Sequence, residues 1–231
     1  MLQRLPILLA LAAAAASAAP ILFVGLDPEG GGFSNGAAAR GRFFSHISGG
    51  GTESFEGDCS DPCEPYPLFF RPGLTGQFSG FPAGSPVRPV ASAPGGGAQA
   101  IYAENVSFIQ FSEEVSALGF YVTNLLYVVS PSGQGSLLGL TLGDQLPIYI
   151  DPGLSGFAPG SRFTGFIGFI DYDRTYSSVQ FGNFRPDTLT NRFYTDLITA
   201  AERGEVAPEP ANLLTMAAGV ASLVWLKSRP T

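Results

Sequence analysis

The chain has 231 residues and a formal charge of −7, which leaves no broad basic surface and makes nucleic acid an unexpected partner. Its 30 glycines and 19 prolines stay below the share that marks disorder, while 19 phenylalanines and 8 tyrosines argue for a packed interior. One sizeable domain with a hydrophobic core is therefore expected.

Residues 1–19 read as a secretory signal peptide. Arg4 supplies the positive end, Leu5 to Ala16 the apolar run, and Ala16-Ser17-Ala18 a small-residue cleavage site. The run is too short and too alanine-rich for a permanent span. Export follows from this reading. Residues 20–51 form a Gly/Ala-rich lead-in whose apolar opening, Ile21-Leu22-Phe23-Val24, reads as an edge strand or a mobile segment. Within it, Gly32-Phe33-Ser34-Asn35-Gly36 spells the G-x-S-x-G of a hydrolase nucleophile. That chemistry needs a strand running into the serine, a helix after it, and an acid and a histidine downstream. Here DPEGGG precedes the serine, and the sole histidine, His46, follows with no carboxylate between them. A flexible glycine loop is the expectation.

The only cysteines, Cys59 and Cys63, lie in the loop DCSDPCEP. In an exported protein a disulfide pinning this loop is the preferred reading, with free thiols or a metal as alternatives. A metal would need two more soft or imidazole ligands. The C-x3-C spacing, without a βαβ pattern around it, does not suggest thioredoxin-like redox chemistry.

From Thr52 onward, short β-prone runs alternate with turn residues, which predicts an all-β domain over 52–202: a jelly-roll-like antiparallel sandwich. Expected strands are Thr52–Glu56, Gln77–Phe81, Ala100–Ala103, Val106–Phe111, Ala117–Thr123, Leu138–Leu142, Ile148–Ile150, Phe163–Ile170, Ser177–Phe181 and Phe193–Thr199. In the eighth of these, Phe163, Ile167 and Phe169 share one face while Phe166 and Ile170 take the other. Apolar side chains on both faces predict a strand covered on two sides. The mature domain shows no long helical period, so the helices expected are an N-terminal signal helix and a single transmembrane helix in the C-terminal tail.

That tail, 203–231, has three parts in order. Pro208-Glu209-Pro210 is a rigid polar tripeptide that cannot continue a helix backwards. Residues 211–226 are apolar and predict a transmembrane helix of about 24 Å, a little short of a typical hydrocarbon core. Trp225, Lys227 and Arg229 form a membrane stop, with aromatic and cationic groups at the inner interface.

This order resembles the PEP-CTERM tail of Gram-negative bacterial surface proteins. The resemblance implies recognition by an exosortase at the inner membrane, with cleavage near the Pro-Glu-Pro and passage outward. Two departures stand out. Ala207 separates Val206 from the motif, and the basic end has only Lys227 and Arg229 where many members carry several arginines. The alternative is a single-span anchor that is never processed. Between the two membrane signals, Phe55-Glu56-Gly57, FSEEVSALGFYVTN, FTGFIGFID, YSSVQF and RFYTDL look like the β-sandwich carried by many proteins with this tail. Asn124 stands where that family often has aspartate, and Thr195-Asp196 where it often has two.

Sandwich modules that resemble carbohydrate-binding domains often hold a structural Ca²⁺ between an early glutamate and a late aspartate. That resemblance nominates Glu56 and Asp196 as ligands, among the acids Glu53, Glu56, Asp171, Asp173 and Asp196 placed at strand ends or loops. No other cofactor is expected. Asp171 and Asp173 also satisfy the arithmetic of a glycosidase pair, a spacing too common to imply catalysis. Tyr172, Tyr176 and Tyr194 are candidates for stacking on sugar rings, against the plainer reading that they pack. No HExxH or P-loop occurs, and no catalytic residue is assigned. The sequence thus predicts an exported, non-enzymatic surface or matrix protein that ends at the cell surface or outside the cell. The family resemblance adds an association with exopolysaccharide or biofilm. The rival is a surface-anchored glycan hydrolase with an unrecognised carboxylate pair.

Overall fold

A computed structural model describes residues 19–55, 65–80, 87–89, 99–133, 135–184 and 191–206. Residues 1–18 of the predicted signal peptide, Glu56, the Cys59–Cys63 loop, Pro208-Glu209-Pro210, the predicted helix 211–226 and Trp225, Lys227 and Arg229 lie outside the described residues.

The lead-in is part of the fold. Its apolar opening becomes strand β1, Ile21–Pro28, as the edge-strand reading expects. It pairs antiparallel along its whole length with the strand Arg162–Ile170, from Ile21 opposite Ile170 to Pro28 opposite Phe163. After a short turn, helix α1 runs over Ser34–Phe44. This corrects two expectations: Ser34-Asn35-Gly36 open a helix instead of a flexible loop, and the domain between the predicted end segments has a helix of its own. The stripe α1 buries is Gly36, Ala39 and Phe43, spaced for one helical face but made mostly of small residues. Small residues let the helix lie close to the sheet. A Cβ on Gly25 of β1 would sit 2.1 Å from the carbonyl oxygen of Asn35 and 2.8 Å from the Ala39 methyl.

The remaining strands are β2 (Gly51–Glu53), β3 (Tyr66–Arg71), β4 (Leu74–Ser79), β5 (Val87–Pro89), β6 (Gln99–Glu104), β7 (Val106–Val115) and β8 (Ala117–Leu126). They are followed by β9 (Leu138–Leu142), β10 (Ile148–Tyr149), β11 (Arg162–Ile170), β12 (Tyr176–Asn183) and β13 (Arg192–Ala201). Each predicted strand has an observed counterpart; β3 and β5 were not expected. All pairings are antiparallel, in two sheets. One has the order β1-β11-β8-β13-β6-β5, with β2 also on β13; the other runs β10-β9-β12-β7-β4-β3. The all-β sandwich is therefore as the sequence predicts.

Between the sheets lies the larger core, with Phe55, Phe78, Phe120, Phe163, Phe169 and Phe193 among its fully buried side chains. A second core, built on Phe23, Ala39, Phe43, Tyr121, Phe166 and Ile170, fills the space between the first sheet and α1. The two faces read from β11 divide between these cores: Phe163, Ile167 and Phe169 enter one, Phe166 and Ile170 the other. The helix is what covers the second face.

Ile21 and Ala201 share one pole of the sandwich, since Ile21 is opposite Ile170, which with Ala201 flanks Ala117. At that pole Val206 bridges back to Ile47. The guanidinium of Arg71, at the end of β3, contacts Glu202 at 3.0 Å and Glu205 at 3.1 Å. This clasp joins the second sheet to the stretch that follows β13.

Candidate functional site

The buried carboxylates each serve the fold locally. Asp27, at 3% exposure, closes β1 and reaches across the turn to α1. Its Oδ1 accepts from the backbone N–H of Asn35 at 3.1 Å and the Ser34 hydroxyl at 3.3 Å, and its Oδ2 from the N–H of Gly36 at 2.9 Å. It does the work of a helix cap from a distance, because Phe33 at the N-cap makes no side-chain cap. Ser34 is thus held by an aspartate, and His46 Nδ1 lies 2.7 Å from the Tyr172 hydroxyl. The serine and the histidine are engaged in separate contacts.

Asp171 and Asp173 do not share a strand face; both lie in the turn after β11. Asp171 Oδ1 accepts from the N–H of Asp173 at 2.9 Å and of Arg174 at 3.0 Å, and its Oδ2 from the Tyr176 hydroxyl at 2.6 Å. Burial, and then this bond to Asp171, push the Tyr176 phenol far above its ordinary range. The arrangement closes a turn. Asp151 does the same elsewhere, accepting from Tyr127 at 2.6 Å and from the N–H of Gly153 at 2.9 Å. That bond, with burial added, raises the Tyr127 phenol.

Asp196 lies inside β13 instead of at a strand end, 2% exposed and beside the register shift that separates it from Thr199. Its Oδ1 accepts from the N–H of Leu197 at 2.7 Å. Glu56, its nominated partner, lies outside the described residues, and Glu53 Oε1 and Oε2 accept from the N–H groups of Phe55 and Phe69, at 2.9 Å each. Among the described residues no three of His, Cys, Asp and Glu gather as a metal site. Glu205 is different in kind. Burial alone would raise it, but the N–H groups of Glu202 and Gly50 and the Arg71 guanidinium together hold its carboxyl below the usual range.

The tyrosines nominated for stacking are not exposed. Tyr176 is buried, Tyr194 is half-buried with its ring 5.2 Å from Tyr102, and Tyr172 is half-buried beside His46. The exposed aromatic rings are elsewhere: Phe69 at 67% and Tyr149 at 55%.

Phe69 belongs to the outer face of the second sheet, and this face is the feature that the sequence reading missed. On β3, β4, β7 and β12 the buried side chains alternate with Pro67, Phe69, Thr75, Gln77, Phe108, Gln110, Ser178 and Gln180. A groove of about 360 Å³ lies on its β3, β4 and β7 part, with no charged side chain in its lining. Gln77 is opposite Gln110, which is opposite Ser178; Phe108 is opposite Gln180. Gln110 is held by a 3.0 Å bond from its Nε2 to the Ser177 carbonyl, and Ser112 Oγ accepts from the Thr75 N–H at 3.0 Å. The groove is open and lined without charge; Glu113 and Glu114, exposed further along β7, are not in its lining. The period-two alternation of β4 and β7 is the available signal, and Pro67 hides β3.

The architecture defines a class: an antiparallel two-sheet β-sandwich with one helix laid on the outer face of one sheet. Compared with known proteins, the chain matches no family model, no curated protein and no solved structure.

Proposed function

We propose that the protein is an exported, non-enzymatic surface or matrix protein, sorted through a PEP-CTERM tail by an exosortase and associated with exopolysaccharide. The observation that carries this reading is the order of the last residues: Pro208-Glu209-Pro210, an apolar run over 211–226, then Lys227 and Arg229. A tripeptide that ends helices, an apolar stretch near spanning length and a basic stop form a unit that stability of the sandwich alone does not call for. The signal sequence at residues 1–19 supports delivery to the membrane from the inside. The fold is in keeping with a cargo domain, jelly-roll-like in that consecutive strands from β6 to β9 alternate between the two sheets. The acids whose spacing matches a glycosidase pair support the non-enzymatic reading: Asp171 closes a turn and Asp173 lends it a backbone N–H.

The experiment is intact mass of the exported protein from cells with and without the sorting enzyme. The expected result is loss of the mass after Pro208-Glu209-Pro210 only when the enzyme is present. The same C-terminus in both strains would reduce the tail to a plain anchor, and recovery from cytosol with Met1 attached would end the reading altogether.

A further inference from the structure

The two sheets differ in what lies on their outer sides. On the first sheet, β1, β11 and β8 are covered by α1, and Phe23, Tyr121 and Phe166 fill the space beneath it. On the second, no described element packs on the outer face of β4 and β7, where Gln77 and Gln110 are exposed. Phe69, in the neighbouring strand, leaves 67% of its surface open. A large aromatic ring held out on a regular strand, beside the exposed amide of Gln77 and the anchored one of Gln110, is a surface shaped for a ligand.

Charge narrows the occupant. The chain carries a net −7, yet no ionised group lines this groove. A polyanion would meet the field of an acidic protein with no cation to receive it, and a polycation would find no carboxylate. What remains is an uncharged ligand rich in both donors and acceptors, since a glutamine amide offers two N–H bonds and an acceptor oxygen. The ring faces of a phenylalanine suit an apolar C–H surface. Sugars combine both.

The edge of the sheet argues against a strand as occupant. β3 is the edge strand, and it carries Pro67, while its Phe69 N–H is already taken by Glu53 Oε2 at 2.9 Å. Both devices block pairing with another chain. The occupant therefore lies across the face and not along its rim. From strand spacing and rise, Phe69 and the half-buried Phe108, which lies beyond the groove lining, stand about 17 Å apart, with Gln77 and Gln110 between them. That is the reach of a short oligosaccharide.

We propose that the outer face of β3, β4, β7 and β12 binds a neutral polysaccharide, with Phe69 and Phe108 stacking on sugar rings and Gln77, Gln110 and Gln180 bonding their hydroxyls. This deepens the proposed function, on whose exopolysaccharide association it rests for its biological setting, by naming the surface and the charge class of the glycan.

The test is native affinity electrophoresis of the purified full chain in gels containing hydroxyethylcellulose, laminarin, dextran or galactomannan, with alginate as the anionic comparison. At least one neutral polymer is expected to retard the protein. Phe69→Ala weakens that retardation about tenfold and Gln77→Ala severalfold, both at exposed positions where the fold tolerates the change. Leu154→Ala, a control at a 90% exposed position in a loop outside this face, leaves it unchanged. The proposal is overturned if no neutral polymer retards the chain, if Phe69→Ala and Gln77→Ala bind as the parent does, or if alginate is preferred. Sedimentation showing a dimer that Phe69→Ala dissolves would also overturn it, in favour of a second copy on this face. The assay needs neither cells nor the sorting enzyme, so a failure of sorting and a failure of binding are read separately.

Discussion

Replacing Gly25 by alanine tests whether α1 is held by close approach to a bare strand. The new Cβ would lie 2.1 Å from the backbone oxygen of Asn35, an atom that cannot rotate away. Relief to an ordinary carbon–oxygen contact requires the helix to lift by about 1 Å, and a gap of that size forfeits a quarter to a half of each dispersion contact it opens. Phe43, fully buried against Phe23 and Phe166, is the main loser. Burying one such ring is worth about 1.5–3 kcal/mol, and overpacking elsewhere costs about 1–3 kcal/mol, so the expected loss is about 2 kcal/mol. Gly41 supplies the opposite sign. It lies in the same helix with nothing within 4 Å of its would-be Cβ, so Gly41→Ala should gain about 0.5–1 kcal/mol. The assay is urea unfolding of the three proteins, followed by tyrosine fluorescence and circular dichroism. Equal stability of parent and Gly25→Ala, or the same sign for both variants, would refute the argument that contact with Gly25 sets the helix position.

Asp27→Ala removes the acceptor for the Asn35 and Gly36 N–H groups and should cost about 1–2 kcal/mol by thermal unfolding, with the loss of helical signal preceding that of the sheets. Tyr176→Phe leaves a buried oxygen of Asp171 without its donor and should cost about 1.5–3 kcal/mol in urea unfolding. The folded Tyr176 phenol titrates above its unfolded value, so its contribution is complete below about pH 10 and falls as pH rises through the folded value. Spectrophotometric titration of parent and Tyr176→Phe should show that the variant has one fewer late-ionising tyrosine; an unchanged late phase would contradict this. Glu205 has the opposite sign. Its folded carboxyl is held low, so its contribution is present above the usual glutamate range and is lost as pH falls through the lower, folded value. The stability gap between parent and Glu205→Gln should therefore be largest near neutrality and close in acid. A gap independent of pH would show that the Arg71 clasp does not depend on the charge.

The strands were legible where large apolar side chains alternate. β11 gave both its faces correctly because Phe163, Phe166, Ile167, Phe169 and Ile170 are all bulky. α1 was hidden for the opposite reason: the residues it buries are Gly36, Ala39 and Phe43, so two of the three positions that define its face carry almost no hydrophobic signal. β3 was missed because Pro67 reads as a strand breaker, and only its place at the sheet edge makes the proline acceptable. The roles of Asp27 and Asp171 could not be read from spacing, since each depends on a turn that brings donors back to the carboxylate. The open face is legible only once register is known, because Gln77, Gln110 and Ser178 are far apart in the chain and adjacent across the sheet.

The clasp of Arg71 on Glu202 and Glu205 has a mechanical consequence. Tension on the backbone beyond Val206 meets Glu205 and Glu202 before it reaches β13, which as a lone strand would be peeled from its neighbours one bond at a time. Because β3 is tied to the same stretch, part of that load passes straight into the other sheet, the one whose exposed side carries Phe69. Arg71 thus couples the end of β13 to the sheet that carries Phe69.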